Sequence, residues 1–201
     1  MSRRSFAVTW DYRCPFARVA HSHVITALKA GAPWDVTFAP FSLNQAHVEA
    51  GGTDVWDDPS KRSFLLPMEV GLAVRDRYPD AFPDFHTAMF DARHRESRDL
   101  RERDVLVDVI ASQGLDHEEL FAVVDEGTPL ATFRKEHEHV ADEHSVFGVP
   151  TFIVDDRAVY VRLMRGPKGD AAVGRATVDR ILDMLDNWRE LNEFKLTTLS
   201  R

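Results

Sequence analysis

The chain has 201 residues, 44% hydrophobic and 29% charged, with 33 acidic residues against 25 lysines and arginines. This is the composition of one large globular domain with ample core, and the net charge of −8 excludes a sequence-independent hold on phosphate backbones, so no nucleic-acid partner is expected. No apolar run approaches the roughly 20 residues of a membrane span, so no membrane partner is expected; the single cysteine excludes an internal disulfide framework and, with an N-terminus lacking a signal-type apolar core, predicts a reducing, cytoplasmic setting.

In chain order, Phe6, Val8 and Trp10 alternate with Ala7 and Thr9, the pattern of a short strand. Pro15 stands where a helix can begin, because its missing N–H is one of the unpaired donors of a first turn. Ala17, Val24, Ile25 and Leu28 follow at helical spacing, and Gly31 closes the helix. Trp34, Val36 and Phe38 alternate again, completing a β-α-β unit. From about residue 58 to 145 the spacing predicts four or five helices. Asp58-Pro59-Ser60 is a start signal and Pro79 a stop; Asp99 and Asp116 are candidate caps, and Thr128-Pro129 a candidate N-cap and first position. Strand character returns with Thr151–Val154, a turn at Asp155-Asp156, and alternation of Val159, Val161 and Leu163, which predicts a hairpin. Asp170 is placed to cap a last helix with Val178, Ile181, Leu182, Leu185 and Trp188 on one face.

Two short segments carry chemistry. Asp11-Tyr12-Arg13-Cys14-Pro15-Phe16-Ala17 sets a thiol between a strand end and a helix start. Unpaired N–H groups and the positive end of the helix dipole there favour a thiolate, so Cys14 is expected to titrate below about 8.5, with Arg13 and Arg18 as further support. The other reading of a lone cysteine is an inert buried side chain. Phe147-Gly148-Val149-Pro150-Thr151-Phe152 places a proline directly before a strand, which fits either a cis bond in a special turn or a trans proline ending the preceding helix. Among the histidines, His139 and Glu143 share a helix face within KEHEHVADEH, but the run reads first as a solvated charged face. His21, two turns after Cys14, is either a tuner of the thiol or a satisfied core histidine. Trp10, Tyr12 and Phe16 surround the thiol in sequence, as a substrate pocket or as core.

In this order, and within these flanks, the two segments resemble the DsbA-like branch of the thioredoxin superfamily. That family has Cys-Pro-x-Cys at the start of its first helix, a helical insertion, and a Val-cis-Pro loop facing the cysteine. The resemblance implies an α/β, thioredoxin-like fold in a single DsbA-like domain over 1–201. Its core would lie at about 5–45 and 146–190, with the helical insertion, about 58–145, between the βαβ and ββα halves. Cys14-Pro15-Phe16-Ala17 matches the first motif except at Ala17, which replaces the second cysteine, and Val149-Pro150 matches the loop. The implied function is a thiol-disulfide oxidoreductase with Cys14 as nucleophile and Pro15, Val149 and Pro150 as substrate-binding residues. No tightly bound cofactor and no metal is implied. A low-molecular-weight thiol, mycothiol or glutathione, would be co-substrate, and the partner a small-molecule or protein disulfide. Thr87-Ala88-Met89 and the tail Asn192-Glu193-Phe194-Lys195-Leu196 resemble the mycothiol-dependent reductases of this group. The alternatives are a kappa-class glutathione transferase or hydroxychromene-carboxylate isomerase-like enzyme, which use Ser-Pro at the same helix start, and a redox-inactive binding protein on the same fold.

Overall fold

The computed structural model describes residues 3–191. Strand β1 (Arg4–Trp10) leads into helix α1 (Pro15–Lys29) and strand β2 (Trp34–Pro40). Five helices follow: α2 (Arg62–Arg77), α3 (Phe82–His94), α4 (Arg103–Ser112), α5 (His117–Asp125) and α6 (Thr128–His144). A hairpin of β3 (Thr151–Val154) and β4 (Arg157–Tyr160) precedes α7 (Ala171–Asn187). The sheet order is β2-β1-β3-β4, with β1 and β2 parallel and the other pairs antiparallel. A parallel β1–β2 pair needs a crossover, which α1 supplies. This is a mixed α/β, thioredoxin-like fold in which the helical block separates the βαβ half from the ββα half.

The local signals work where the physics is local. Gly31, at φ +80°, takes the left-handed conformation that ends α1. Asp116 and Asp170 accept N–H groups of their helices' first turns. Four details differ from expectation. Asp99 binds the N–H of Arg101 in a turn of its own, and Glu102 takes the cap position of α4. Gly127, at φ +82°, caps α6, so Thr128 is already helical and Pro129 is its second residue. Strand β4 stops at Tyr160, with Val161 adding one more hydrogen bond, to the Pro150 carbonyl at 3.0 Å. Trp188 falls one residue past α7 and is exposed, because the helix ends before its face reaches the core.

The core is continuous from the sheet into the helical block. Phe6, Trp34 and Phe152 meet across three strands, with centroids 5.8 and 5.9 Å from Phe6. Trp10 and Phe38 pack on Phe82 of α3. Helix α1 lies against α7, α7 also against β3 and β4, and α6 against β2. Among the described residues no helix is long and apolar enough to cross a membrane.

Candidate active site

The loop between β1 and α1 is tied down on both sides. The buried Asp11 carboxylate accepts the N–H of Arg13 at 2.8 Å and of Leu43 at 3.0 Å, joining the ends of β1 and β2. Burial pushes its carboxyl up, against the pull of those two donors. The Cys14 N–H then bonds the Asp11 carbonyl at 3.0 Å. Cys14 is the N-cap of α1, with extended backbone (φ −91°, ψ 116°) and its sulfur facing the N–H of Ala17 at 3.4 Å. Pro15 occupies the first helical turn, exposed, where its ring disrupts no hydrogen bond.

The second segment arrives from the far end of the chain. The Val149–Pro150 bond is cis. The Thr151 hydroxyl donates to the Gly148 carbonyl at 2.8 Å, and the Thr151 N–H to the Thr9 hydroxyl at 2.9 Å, which fixes this loop on β1. The Cys14 thiol donates to the Val149 carbonyl at 3.2 Å, across 135 residues of sequence. The structure thus brings Cys14, Pro15, Val149 and Pro150 to one place.

The charge state of the thiol departs from the sequence expectation. Burial pushes the Cys14 thiol up from its ordinary value, outweighing the N–H groups of Ala17 and Phe16. The Asp11 carboxylate pushes the same way and Arg162 against it. The expected support from Arg13 and Arg18 is not there. The Arg13 guanidinium bonds the Asn44 side-chain carbonyl, and Arg18 pairs with Asp91 at 2.8 Å. The helix end does supply donors, but the thiol of a residue only 8% exposed loses more solvation than those donors return.

Behind the thiol, Tyr12 turns inward instead. The Thr9 carbonyl can only accept, so His21 donates to it from Nε2 at 3.0 Å. His21 Nδ1 then accepts from His86 Nε2 at 3.0 Å, and His86 Nδ1 from the Tyr12 hydroxyl at 2.9 Å. Such a chain requires both rings neutral. Burial enforces this, holding His21 down to about 4 and His86 well below its ordinary value. Of the two sequence readings, His21 is therefore a satisfied core histidine, with both ring nitrogens taken by Thr9 and His86. Trp10 and Tyr12 are core as well, whereas Phe16 is half-buried at the rim of the thiol. His137 is enclosed between Phe41 and Trp56 and accepts the Ser42 N–H, while His139 and Glu143 are exposed.

Around the rim stand residues the sequence reading did not single out. Arg162 lies with its guanidinium 4.3 Å from the Phe16 ring centroid. Tyr160 packs on Phe147, centroids 5.3 Å apart, and Phe147 is 71% exposed. Tyr160 and Arg162 follow from one feature of the pattern: a strand paired to β3 in antiparallel register puts its exit opposite Pro150. His94 of α3 donates to the Tyr12 carbonyl at 2.9 Å. Thr87 and Met89 belong to α3, Met89 fully buried; the tail 192–196 lies outside the described residues.

The family model for the DSBA-like thioredoxin domain matches residues 8–185. YwbO of Bacillus subtilis (strain 168) is 26% identical over 174 residues, covering 74% of this chain and 86% of its own. Two solved structures share the fold. A 2-hydroxychromene-2-carboxylate isomerase superposes with a TM-score of 0.63 at 14% identity, over 90% of this chain and 97% of its own. The cytosolic disulfide reductase DsbM of Pseudomonas aeruginosa, solved with GSH, gives 0.61 at 19% identity, over 89% and 98%.

Proposed function

The chain belongs to the DSBA-like thioredoxin domain family, and from that premise we propose that it is a disulfide reductase working through one thiol, Cys14, with a low-molecular-weight thiol as co-substrate. One observation carries the reading: Cys14 caps α1 and faces the Val149 carbonyl beside cis Pro150, while Ala17 stands where a second thiol would be. The Cys14 thiolate attacks a substrate disulfide, forming a mixed disulfide and releasing one substrate thiolate. With no resolving cysteine, an external thiolate then attacks that mixed disulfide. It displaces the second substrate sulfur as a thiolate and stays on Cys14; a second equivalent then displaces Cys14, and the two leave as their own disulfide. Val149 and Pro150 hold the incoming chain extended along the loop, as an added strand is held, and Pro15 shapes the helix start.

The raised thiol favours reduction over oxidation. A strong oxidant needs a stabilised thiolate that leaves easily; here burial disfavours the thiolate. Mycothiol or glutathione supplies the small thiol, and a single cysteine suits a reducing cytoplasm.

Ala17→Cys tests the mechanism. Its N–H already lies 3.4 Å from the Cys14 sulfur, so the variant is expected to close an internal disulfide and to reduce insulin with dithiothreitol. Wild type closes no such bridge: incubated with oxidised glutathione it should gain the mass of one glutathionyl group on Cys14, released only when an external thiol is added. Release of that group from wild type with no thiol added would overturn the single-thiol reading.

A further inference from the structure

Resting on that reading, we infer that the Cys14 site selects thiols whose chain carries free carboxylates near the sulfur, with Arg162 as the specificity-determining cation and Arg13 its counterpart on the opposite flank. The acidic γ-glutamyl peptide class fits; a neutral, sugar-linked thiol does not.

The placement of Arg162 follows from the sheet. Thr151 is opposite Tyr160, and the Val161 N–H bonds the Pro150 carbonyl, so β4 leaves the sheet directly alongside the loop that faces Cys14. Arg162 is the next residue, exposed, with its guanidinium over Phe16, two residues after Cys14 in the first turn of α1. Ring stacking positions the cation without neutralising it. Among the described residues Arg162 makes no ion pair. Its field nonetheless reaches the Cys14 sulfur.

Arg13 is the other flank. It immediately precedes Cys14, is exposed, and has as its partners the neutral Asn44 amide and the Phe64 ring at 5.8 Å. Asp11, two residues earlier, is buried with both oxygens taken by backbone N–H groups. In a chain with 33 acidic residues, Arg4, Arg18, Arg75 and Arg134 each hold a carboxylate within 4.0 Å, yet the two arginines flanking the thiol hold none. Guanidinium groups left in this state match a carboxylate in both geometry and charge. Phe147 and Tyr160 add an apolar ring pair on the side of the cis proline.

The test uses the full-length protein with Cys14 converted to its 2-thiopyridyl mixed disulfide. It is reacted with glutathione, glutathione diethyl ester and neutral N-acetylcysteine amide, each rate normalised to the same thiol's rate on a small model disulfide. Glutathione is expected to outpace its diester by about tenfold at low salt, one charge-assisted contact's worth. That preference should shrink as salt rises. Arg162→Gln should remove most of the preference and Arg162→Lys retain much of it, with the amide thiol's rate falling less than glutathione's in Arg162→Gln. Equal normalised rates for acid and ester on wild type overturn the inference and leave the single-thiol mechanism standing. If no thiol displaces the label or regenerates free Cys14, the mechanism falls and the inference with it.

Discussion

Tyr12 and Cys14 are two residues apart, yet their polar atoms end in different surroundings. The Tyr12 hydroxyl closes a sealed chain through His86 and His21 to the Thr9 carbonyl, with every member under 2% exposed. The Cys14 sulfur meets the Val149 carbonyl at an edge rimmed by exposed Phe147 and Arg162. In the first region each donor has one acceptor and the tautomers are dictated from the carbonyl end; nothing is left to react. In the second, the sulfur's partners are one carbonyl and one N–H at the edge of the fold. The same loop buries its inward residue in the core and sets the next but one near the surface. Gly71 of α2 belongs to the sealed side, since a Cβ there would lie 2.7 Å from the Tyr12 hydroxyl.

That contrast can be broken by exchanging where damage falls. The largest loss of stability is expected from His86→Leu. It keeps an apolar side chain but leaves the Tyr12 hydroxyl and His21 Nδ1 buried without partners, costing about 4 kcal/mol at roughly 1–3 kcal/mol for each unpaired group plus lost ring packing. Urea unfolding reads the cost. The iodoacetamide reactivity of Cys14 in the folded variant should stay within about twofold of wild type, since the histidine chain reaches the cis-proline loop only through Thr9, by its carbonyl on one side and its hydroxyl on the other; a large change would show that the two regions are coupled.

Acid should act on the sealed region next. Unfolded imidazoles take up a proton near 6.5, whereas folded His21 and His137 do so only at about 4. Between those values the unfolded chain binds more protons, so their stabilisation is complete above about pH 6.5 and is lost as pH falls toward 4. His21 alone contributes about 3 kcal/mol, and His86, also held neutral, acts in the same direction. Denaturation midpoints measured from about pH 7 down to about pH 5 should fall steadily in wild type and less steeply in His86→Leu. A flat profile in wild type would mean that these rings are charged or open to solvent.

The smallest effect on stability, under about 1 kcal/mol, is expected from Cys14→Ser, because serine is itself a good N-cap for the Ala17 N–H. Its chemical consequence is the opposite: no mixed disulfide with any small thiol by mass spectrometry, and no thiol-dependent insulin reduction. Wild-type rates in this variant would place the chemistry elsewhere.

Most elements and the thiol's position at the head of α1 were legible because they rest on local rules: alternation in β1 and β2, a proline in a first turn, a glycine after α1. The cis-proline segment could be recognised through family resemblance, while its composition alone left cis and trans both open. Differences of one to three residues at Asp99, Thr128 and Trp188 arise where a residue other than the expected one ends the helix, as Glu102 does for α4 and Gly127 for α6. His86 was invisible as a partner of His21 because 65 residues and a helix separate them. Arg162 needed the register as well as the alternation of Val159, Val161 and Leu163: only the pairing of Thr151 with Tyr160 places the strand exit beside Pro150.

What the sequence determined by itself was therefore a set of short-range facts: an α/β order, one cysteine before a proline, an alanine three residues on, and a valine-proline step before a strand. Helix caps and strand alternation depend on neighbours a few residues away, so they can be read in one dimension. Tertiary structure alone decided the charge state of the thiol. The N-terminal position on α1 predicts a lowered thiol, and the enclosure of its sulfur together with the Asp11 carboxylate reverses this, because desolvation depends on everything packed around an atom and not on its place in a helix. It also decided that Arg18 pairs with Asp91 while Arg162, 148 residues from Cys14 in sequence, is the cation whose field reaches it.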